Sequence, residues 1–489
     1  MYLGIDVGTS GIKAVIIDDA GTVISESRAG LTVSHPHPLW SEQDPSDWWA
    51  ATNTAVSQLD QAAREQVRAI GLSGQMHGAV LLNKARKVIR PAILWNDGRS
   101  AAECDELLAR EPRAHELTGN LIMPGFTAPK LLWVKKHEPQ VWAEVDLVLL
   151  PKDYIRLRMT GEAATDLSDA SGTLWVDVGA RKWSSKMLAA TELSEANMPR
   201  LCEGLEPTGI LRDELAEAWG MARVPVCAGG GDNAAGAVGV GVIHDGDALL
   251  SLGTSGVIFA ATKTFRPNVA GTVHAFCHAV PDRWHQMSVM LNAASCIDWV
   301  VNATNASSVG GILAELEAAG RFDTPELFLP YLTGERTPHN DPYAKGAFFG
   351  LTASTDSKSL ALATLQGVAL ALSDGLDVLT DAGTRFDSIT VIGGGSRSAF
   401  WGKILASTLN KPLVYRTGAD LGPSYGAARL ARLSLGQDSV EAVCTAPPIE
   451  HVVEPDRPLS DVMAAKRPAF RALYQTLKPL FKTLPAGTN

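Results

Sequence analysis

The sequence predicts an α/β protein made of two domains that share one architecture. Its 489 residues exceed what one hydrophobic core usually organises, which favours two large domains. Two segments about 245 residues apart resemble each other, one beginning at Gly4 and the other at Leu249. Along the chain, apolar runs typical of strands alternate with stretches of helical periodicity, which is the pattern of an α/β fold.

The two similar segments are "GIDVGTSGIKAVIID" and "LLSLGTSGVIFAA". Each has β-branched and apolar residues on both sides of a Gly-Thr-Ser-Gly turn, so each predicts a β-hairpin. The recurrence of the hairpin in the second half indicates that one domain architecture was duplicated. The polar segment "VIHDGD", just before the second hairpin, predicts the boundary between a domain of residues 1–243 and a domain of residues 244–489.

Composition excludes several classes of function. The net charge is -10 and no basic run stands out, which argues against a nucleic-acid partner. No apolar run reaches the roughly 20 residues that span a bilayer, so no membrane partner is expected. The six cysteines form no C-x-x-C pair and the chain starts with a strand-like run, both of which favour a cytoplasmic protein. A homodimer stays open, because nothing in the sequence fixes the oligomeric state.

Three glycine-rich turns are candidate nucleotide-binding elements, because backbone N–H groups at such turns face a bound anion and the missing side chains let a phosphate approach. The two hairpin turns would clamp a polyphosphate from both sides. One such turn alone is more often only a tight turn, and the repeat is what favours binding. The third turn, in "VIGGGSRSAFW", precedes a predicted helix and would line the nucleotide or its ribose. The candidate residues in the three turns are Gly8, Thr9, Ser10, Gly253, Thr254, Gly394, Gly395 and Ser398.

Two aspartates are candidates for the chemistry. Asp6 precedes the first hairpin turn, whereas Ser251 occupies the matching position in the second. A carboxylate beside a phosphate-binding turn would serve magnesium, which prefers hard oxygen ligands, although a turn-stabilising hydrogen bond is an alternative role. Asp232 follows three glycines in "AGGGDNAAGAV" and precedes a predicted helix. It is therefore either the cap of that helix or a proton acceptor.

Two other conspicuous groups are expected to be structural. His274, Cys277 and His278 in "HAFCH" lack a second pair of ligands, which favours a buried, hydrogen-bonded cluster over a metal site. Asp97 and Arg99 in "NDGR" suit an ion pair near the cleft. Neither group is assigned a catalytic role.

These motifs, in this order, resemble those of the FGGY carbohydrate kinases, and the resemblance covers nearly the whole chain. It rests on the two hairpins and on the following segments: "GQMHGAVLL", "LWNDGR", "MPGFTAPKLLWVKKHEP", "LLPKDYIRLRMTGE", "GGGDNAAGAVG", "FLPYLTGERTPHNDP", "KGAFFGLT" and "VIGGGSRS". The resemblance implies two actin-like domains of the ribonuclease H type. Each would be a mixed sheet flanked by helices, with ATP and a sugar in the cleft between them.

The same resemblance implies roles for individual residues. Asp232 would be the general base and Asp6 would serve the magnesium and phosphate end of the site. Met76, His77, Asp232 and Asn233 would surround the sugar. The two hairpin turns would border the phosphates, and the third glycine turn would lie nearer the adenosine.

The expected substrate follows from two short stretches. Glycerol kinases, which look similar overall, carry Arg-Glu in place of Met76-His77 and Gln in place of Asn233, so glycerol is disfavoured. The resemblance then implies phosphorylation of D-xylulose to D-xylulose 5-phosphate, with ATP and Mg²⁺. An actin-like ATPase and an inactive sugar sensor are competing classes. Nothing resembles an appended peptide-binding domain, and Asp6 and Asp232 are both retained, which disfavours the two alternatives.

Overall fold

The computed structural model of the protein describes residues 1–306, 308–417 and 422–483. Two seven-stranded mixed sheets organise these residues, one in each half of the chain, and helices pack against both sheets. This layering lets strands with apolar side chains on both faces be buried on both sides.

The first half consists of short strands and helices around the first sheet. Its strands are β1 (Tyr2–Val7), β2 (Gly11–Ile17), β3 (Val23–Gly30), β4 (Glu42–Gln43), β5 (Ala69–Gly74), β6 (Val80–Leu82), β7 (Ala92–Ile93), β8 (Leu147–Leu149), β9 (Ala164–Asp166), β10 (Val176–Asp177), β11 (Lys182–Trp183), β12 (Arg200–Cys202), β13 (Pro207–Ile210), β14 (Pro225–Cys227) and β15 (Gly230–Gly231). Its helices are α1 (Pro45–Gln58), α2 (Gln61–Arg64), α3 (Ala101–Arg110), α4 (Ala114–Thr118), α5 (Thr127–His137), α6 (Pro139–Glu144), α7 (Pro151–Thr160), α8 (Leu167–Ser171), α9 (Ser185–Ala190), α10 (Asp213–Trp219) and α11 (Asp232–Gly239).

The second half has fewer and longer elements. Its strands are β16 (Ala248–Leu252), β17 (Gly256–Thr262), β18 (His274–Cys277), β19 (Trp284–Met290), β20 (Leu327–Leu329), β21 (Ala347–Phe349), β22 (Ile389–Ile392), β23 (Leu413–Arg416) and β24 (Ile449–Val453). Its helices are α12 (Ala294–Ala303), α13 (Val309–Ala318), α14 (Ser357–Asp381), α15 (Ala399–Leu409), α16 (Gly422–Leu433), α17 (Val440–Val443) and α18 (Arg457–Phe481).

The two sheets share one topology. The first has the order β13-β14-β5-β1-β2-β3 with β15 added beside β5, and the second has the order β18-β19-β17-β16-β22-β23-β24. Starting from β3 and from β19, successive pairs are antiparallel, antiparallel, parallel, parallel and antiparallel in both sheets. The two predicted hairpins, β1–β2 and β16–β17, occupy the same place in this order. The duplication expected from the sequence is therefore present in the strand order.

One helix of the second half packs against the first sheet. Helix α16 lies on β1 and β5 and beside α11. A Cβ added to Gly4 would be 1.9 Å from the Ser424 carbonyl oxygen, and one added to Gly71 would be 1.9 Å from the Ala427 carbonyl oxygen. Glycine is required at both strand positions because the helix backbone lies so close. The boundary between residues 243 and 244 stays a prediction, and α16 joins the two halves across it.

The long helix α14 is part of the core of the second half. It is the one described helix that is long and apolar enough to cross a membrane, and 94% of its apolar window is buried inside the protein. Its buried residues belong to one apolar cluster with α12, α15 and α18. All six cysteines are free thiols, and five of them are buried.

Candidate active site

A cavity of about 280 Å³ lies between the two halves of the chain. The first half contributes the four residues that the sequence predicts around a sugar: Met76, His77, Asp232 and Asn233. The second half faces them with Ser251, Ser255, His274 and Arg336. Aromatic and apolar side chains complete the wall: Trp95, Met123, Phe126, Val257, Phe276, Met287 and Val289. A volume at the small end of the range for ligand pockets suits a compact polar ligand.

Three consecutive glycines bring Asp232 to the wall of this cavity. Gly229 has φ +79°, and a Cβ there would be 1.9 Å from the Leu72 carbonyl oxygen. A Cβ on Gly231 would be 3.0 Å from Cγ of Met76. The loop can therefore run closely beside β5 only because it has no side chains, and this approach sets Asp232 next to Met76.

Asp232 is the first residue of helix α11, and its side chain does not cap that helix. Gly231 occupies the N-cap position. The Asp232 carboxylate accepts hydrogen bonds from the backbone N–H and the side-chain amide of Asn233, at 2.7 and 2.8 Å. Burial raises the pKa of Asp232 to about 6, and the Asn233 hydrogen bonds partly oppose that rise. The cap interpretation is therefore wrong, and a carboxylate with this pKa is largely ionised at neutral pH and able to accept a proton.

Asp6 lies near the end of β1, close to Asp232. Its neighbours across the sheet are Lys13 on β2 and Ser73 on β5. Burial, and then the charge of Asp232, raise the pKa of Asp6 to about 7, while Ser73 and the charge of Lys13 oppose part of that rise. Within the described residues, its enclosed Oδ1 atom has no hydrogen-bond partner. Two carboxylates that repel each other, one of them with an unpaired oxygen, form an arrangement that a cation would stabilise.

His77 has a backbone conformation that is uncommon for a residue with a side chain. Its φ is +68°, and Lys130 Nζ and Thr127 Oγ1 donate to its carbonyl at 2.8 and 3.1 Å. Its Nδ1 lies 2.7 Å from the Gly172 carbonyl oxygen. Because a carbonyl only accepts, Nδ1 carries the proton and Nε2 is an acceptor. Burial lowers the pKa of His77 to about 3, so the ring stays neutral at physiological pH.

A buried polar network supports the glycine loop from behind. Arg156 donates to the carbonyls of the two residues that precede the glycines, and Ser168 Oγ accepts the N–H of Gly231 at 3.0 Å. The Asp166 carboxylate binds the Ser168 backbone and forms a 2.8 Å ion pair with Lys152. All of these side chains are fully buried. The loop that carries the catalytic candidate is thus fixed by charged groups that do not themselves line the cavity.

The first hairpin turn is held by side chains of its own half. The Gly8 N–H closes the turn with a 3.1 Å bond to the Gly11 carbonyl. The Thr9 hydroxyl donates to Gln75 at 2.9 Å and accepts from the Trp95 indole at 3.0 Å. The Thr9 side chain therefore fixes the turn, and Ser10 next to it is exposed.

The second hairpin turn is held by the start of helix α12. The Gly253 N–H bonds the Ser255 carbonyl at 3.0 Å, and the N–H groups of Ala293 and Ala294 donate to the carbonyls of Thr254 and Gly253 at 2.8 and 2.9 Å. The turn keeps its tip exposed, because Thr254 and Ser255 remain accessible.

The third glycine turn packs beside the second. A Cβ on Gly395 would be 2.7 Å from Cγ of Leu252, which ends strand β16, whereas a Cβ on Gly394 would meet nothing within 4 Å. Ser398 caps helix α15 and accepts the N–H of Trp401 at 3.1 Å. Close packing against Leu252 explains why residue 395 is a glycine, and helix capping explains the serine at 398. The space beside Gly394 is open to an approaching ligand. Their roles toward a nucleotide stay predictions.

The "HAFCH" cluster is structural only in part. His278 is buried and satisfied, since its Nε2 lies 3.1 Å from the Val242 carbonyl and its Nδ1 accepts the N–H of Val280 at 3.2 Å. His274 instead lines the cavity. In the described part of the chain, its Nε2 has no partner and no group of three metal-ligating side chains exists. The metal interpretation finds no support, and His274 joins the site.

Asp97 and Arg99 form the ion pair expected from the sequence. The Arg99 guanidinium bonds both Asp97 oxygens, at 2.9 and 2.7 Å, and bonds Glu42 at 2.7 Å. It also lies 3.6 Å from the centre of the Trp40 ring. These contacts hold the wall behind the cavity.

Sequence reasoning gives no role at the site to several residues found there, among them Trp95, Lys130, His274 and Arg336. Trp95, Lys130 and Arg336 lie inside segments that carry the family resemblance, namely "LWNDGR", "MPGFTAPKLLWVKKHEP" and "FLPYLTGERTPHNDP", and His274 was expected to be structural. A cation or tryptophan inside such a motif was the available signal. Nothing in the sequence alone shows that these segments meet.

Comparison with known families identifies the class of protein. The model of the FGGY family of carbohydrate kinases, N-terminal domain, matches residues 1–239, and that of the C-terminal domain matches residues 248–435. The chain belongs to the FGGY family of carbohydrate kinases. It is an ATP-dependent kinase with the two-domain, actin-like α/β fold of that family, as the sequence predicted.

Individual relatives narrow the comparison. The chain is 54% identical to a protein called xylulose kinase from Escherichia coli (strain K12) and 52% identical to one from Klebsiella pneumoniae, each over 98% of this chain and 100% of the relative. A crystal structure described as a xyloylose kinase from Brucella ovis matches with a TM-score of 0.93 and 46% identity, over 98% of this chain and 99% of that one. The xylulose kinase structure from Rhodospirillum rubrum matches with a TM-score of 0.90 and 29% identity, with the same coverage.

Proposed function

We propose that the protein transfers the γ-phosphoryl group of ATP to the primary 5-hydroxyl of D-xylulose, giving D-xylulose 5-phosphate and ADP. The observation that carries the proposal is the cavity in which Met76, His77, Asp232 and Asn233 come together. The names of the similar proteins support the choice of sugar.

Asp232 is the proposed general base. As the 5-hydroxyl oxygen forms its bond to the γ-phosphorus, the carboxylate takes the hydroxyl proton and the bond from phosphorus to the bridging oxygen of ADP breaks. The pKa of about 6 keeps Asp232 ionised at neutral pH and basic enough to accept the proton. The hydrogen bonds from Asn233 fix one carboxylate oxygen, which leaves the other for the sugar.

The sugar would be positioned by an apolar wall and a few directed hydrogen bonds. Met76 and Phe126 are buried side chains at the cavity wall. The Nε2 atom of His77 accepts a hydrogen bond from a sugar hydroxyl, because Nδ1 is already committed to Gly172. Enclosure of the reacting groups also excludes water, which otherwise competes as the phosphoryl acceptor.

Asp6 is the proposed magnesium-binding residue. The enclosed, unpaired Oδ1 atom beside a second carboxylate fits a hard divalent cation, and one or two carboxylates with substrate phosphates and water are the usual set for Mg²⁺. When bound, Mg²⁺ supplies charge neutralisation for the phosphates. Asp6 would hold the cation directly or through water, next to the first hairpin turn.

The nucleotide is proposed to lie along the three glycine turns. Gly8, Thr9 and Ser10 would border the phosphates from the first half, and Gly253 and Thr254 would border them from the second. The exposed tips of the two hairpin turns support this arrangement. The residues proposed nearer the adenosine are Gly394, Gly395 and Ser398.

We also propose that the protein works in the cytoplasm, where reducing conditions keep its six free cysteines as thiols. A homodimer remains an open proposal. Light scattering on the purified protein distinguishes a monomer from a homodimer.

A coupled assay of ADP release over a panel of polyols, aldoses and ketoses tests the function. D-Xylulose is expected to give the highest kcat/KM, with release that depends strictly on sugar. A wide margin in favour of glycerol or gluconate contradicts the proposed substrate. Equal ADP release with and without sugar contradicts kinase activity on any member of the panel.

A further inference from the structure

Two residues of opposite charge line the cavity. The charge of Asp232 helps to raise the pKa of Asp6. The charge of Arg336 adds to burial in lowering the pKa of His77 and of His274, so Arg336 lies near both histidines. Among the described residues that line the cavity, Asp232 is the only acid and Arg336 is the only strong base. A ligand in this cavity therefore meets both a proton acceptor and a cation.

Arg336 is held by its backbone, while its guanidinium forms no direct ion pair in the described part of the chain. Its N–H donates to Glu335 at 2.7 Å, and its carbonyl accepts from Thr272 at 3.1 Å. Within residues 1–306, 308–417 and 422–483, no carboxylate forms a direct ion pair with the guanidinium, and the charge of Glu335 opposes only part of the effect by which burial lowers the pKa of Arg336. Burial raises the pKa of Glu335 itself to about 8, so that residue compensates little charge at neutral pH. A half-buried cation that lines the cavity without a direct ion pair has donors available for a ligand with a strong acceptor.

The hydrogen-bonding capacity around Arg336 is complementary to one functional group. Arg336 only donates, whereas His77 Nε2 accepts because Nδ1 donates to Gly172. An α-hydroxyketone offers the matching pair, a carbonyl that only accepts beside a hydroxyl that donates. An alcohol in place of the carbonyl would add a hydroxyl proton that needs an acceptor. Arg336 cannot supply one, because a guanidinium only donates hydrogen bonds. Leaving that hydroxyl proton unbonded in an enclosed site lowers affinity.

We propose that Arg336 selects a ketose, by donating to the C2 carbonyl oxygen while His77 Nε2 accepts a hydrogen bond from the adjacent hydroxyl. The inference rests on the proposed function, because it takes D-xylulose bound with its C5 hydroxyl at Asp232. Arg336 thereby contacts the substrate from the second half of the chain, opposite Met76 and Asn233. Sugar recognition is divided between the halves, and the carbonyl is recognised by the second.

The test compares D-xylulose with xylitol, which has an alcohol in place of the carbonyl. Wild type, Arg336→Met and Arg336→Lys are assayed for kcat and KM with each sugar and for KM of ATP. Arg336→Met is expected to raise KM for D-xylulose about tenfold or more and to change KM for xylitol much less, so that the preference for the ketose collapses. Arg336→Lys keeps a donor and is expected to restore part of the preference. The KM of ATP stays within about twofold.

The control is Arg385→Met, which replaces an exposed arginine of the same half. This variant is expected to leave kcat and KM unchanged for both sugars. Melting curves establish that each variant is folded, and Arg336→Gln replaces Arg336→Met if the latter is not. An equal loss of kcat on both sugars, or an unchanged ratio between them, overturns the inference. Wild type that is inactive on D-xylulose overturns the proposed function instead, so the two failures are distinguishable.

Discussion

The two hairpins occupy the same place in the two sheets and carry different chemistry. Both are antiparallel pairs at the same place in matching sheets, and both turns are closed by a glycine N–H, at 3.1 and 3.0 Å. The first carries Asp6 in an enclosed position with a raised pKa, whereas the second carries Ser251 at the matching site on the cavity wall. The duplicated architecture contains two similar turns, and we propose that the difference between Asp6 and Ser251 gives the acidic chemistry to the first half.

The supports of the two turns differ in the same way. The first turn is fixed by Gln75 and Trp95. Gln75 directly precedes Met76 and His77, and Trp95 lines the cavity. The second is fixed by backbone N–H groups at the start of helix α12. A change at the first turn is therefore expected to reach the sugar site, and a change at the second is expected to stay with the nucleotide.

The largest effect is expected from Asp232→Asn. Sugar-dependent turnover should fall by the roughly 10²- to 10⁴-fold typical of a lost general base. The folded pKa of about 6 lies above the unfolded value, so the ionised carboxylate destabilises the native state above pH 6, and its removal should not lower the melting temperature at pH 7. Calorimetry should show unchanged Mg-ATP binding. A variant that keeps a third of the wild-type rate would show that Asp232 is not the base.

The matched pair Asp6→Asn and Ser251→Ala tests the comparison of the hairpins. Asp6→Asn should lower kcat by about 10²-fold and raise the magnesium concentration needed for half-maximal rate. Ser251→Ala should change either value by less than about tenfold, because a serine hydroxyl supplies only uncharged hydrogen bonds. Similar losses in both variants would contradict the assignment of the metal to the first half.

Asp6→Asn also makes a prediction about stability. The pKa of Asp6 is raised from 3.8 to about 7 in the folded protein, so its stability cost is full above pH 7 and declines as the pH falls from about 7 towards the unfolded value of 3.8. The variant should therefore melt higher than wild type at pH 8 without magnesium, with a smaller difference at pH 6. Scanning calorimetry at the two pH values measures this, and a lower melting temperature at pH 8 would contradict the burial of an ionised group.

Gly172→Ala should weaken the sugar site without touching the acids. A Cβ at this position would lie 2.4 Å from Nδ1 of His77, so the ring must move and lose its bond to the carbonyl. We expect KM for the sugar to rise about tenfold, the value of a misplaced hydrogen bond, while KM for ATP is unchanged. Gly310→Ala is the control, since a Cβ there meets nothing within 4 Å. An unchanged KM for the sugar would exclude His77 from recognition.

The smallest effect is expected from Ser398→Ala. Ser398 caps helix α15, and loss of a cap costs about 1 kcal/mol of stability. If the residue also borders the nucleotide as proposed, KM for ATP should rise by a few-fold. A lower melting temperature with an unchanged KM for ATP would limit Ser398 to capping.

The sequence alone was sufficient for the features that depend on local pattern. The hairpins follow from alternation around a glycine turn, and the helix after the three glycines follows from its run of small residues. The four predicted sugar-site residues do meet in one cavity. This meeting was predictable because their motifs resemble those of a family of known fold. The Asp97–Arg99 pair, two residues apart, was also accessible to local reasoning.

Features that depend on contacts between distant segments were not predictable in the same way. Arg336 reaches the cavity from a segment more than 250 residues beyond His77, and only the folded chain brings them together. Helix α16 packs on the sheet of the other half, a contact that no periodicity indicates. The sequence does not distinguish a cap from a proton acceptor at Asp232, because both roles place an aspartate at the start of a helix. The position of Gly231 at the N-cap excludes the cap, and the role of general base stays a prediction.

The pH dependence of kcat/KM for D-xylulose tests the role of Asp232 most directly. With magnesium kept saturating at every pH, so that Asp6 stays ionised, wild-type activity should fall below about pH 6 with a slope of one, because protonation of Asp232 removes the base. The residual activity of Asp232→Asn should lack this fall between pH 5 and pH 7. A wild-type profile that stays level down to pH 5, or an Asp232→Asn variant that keeps the same fall, would contradict Asp232 as the proton acceptor.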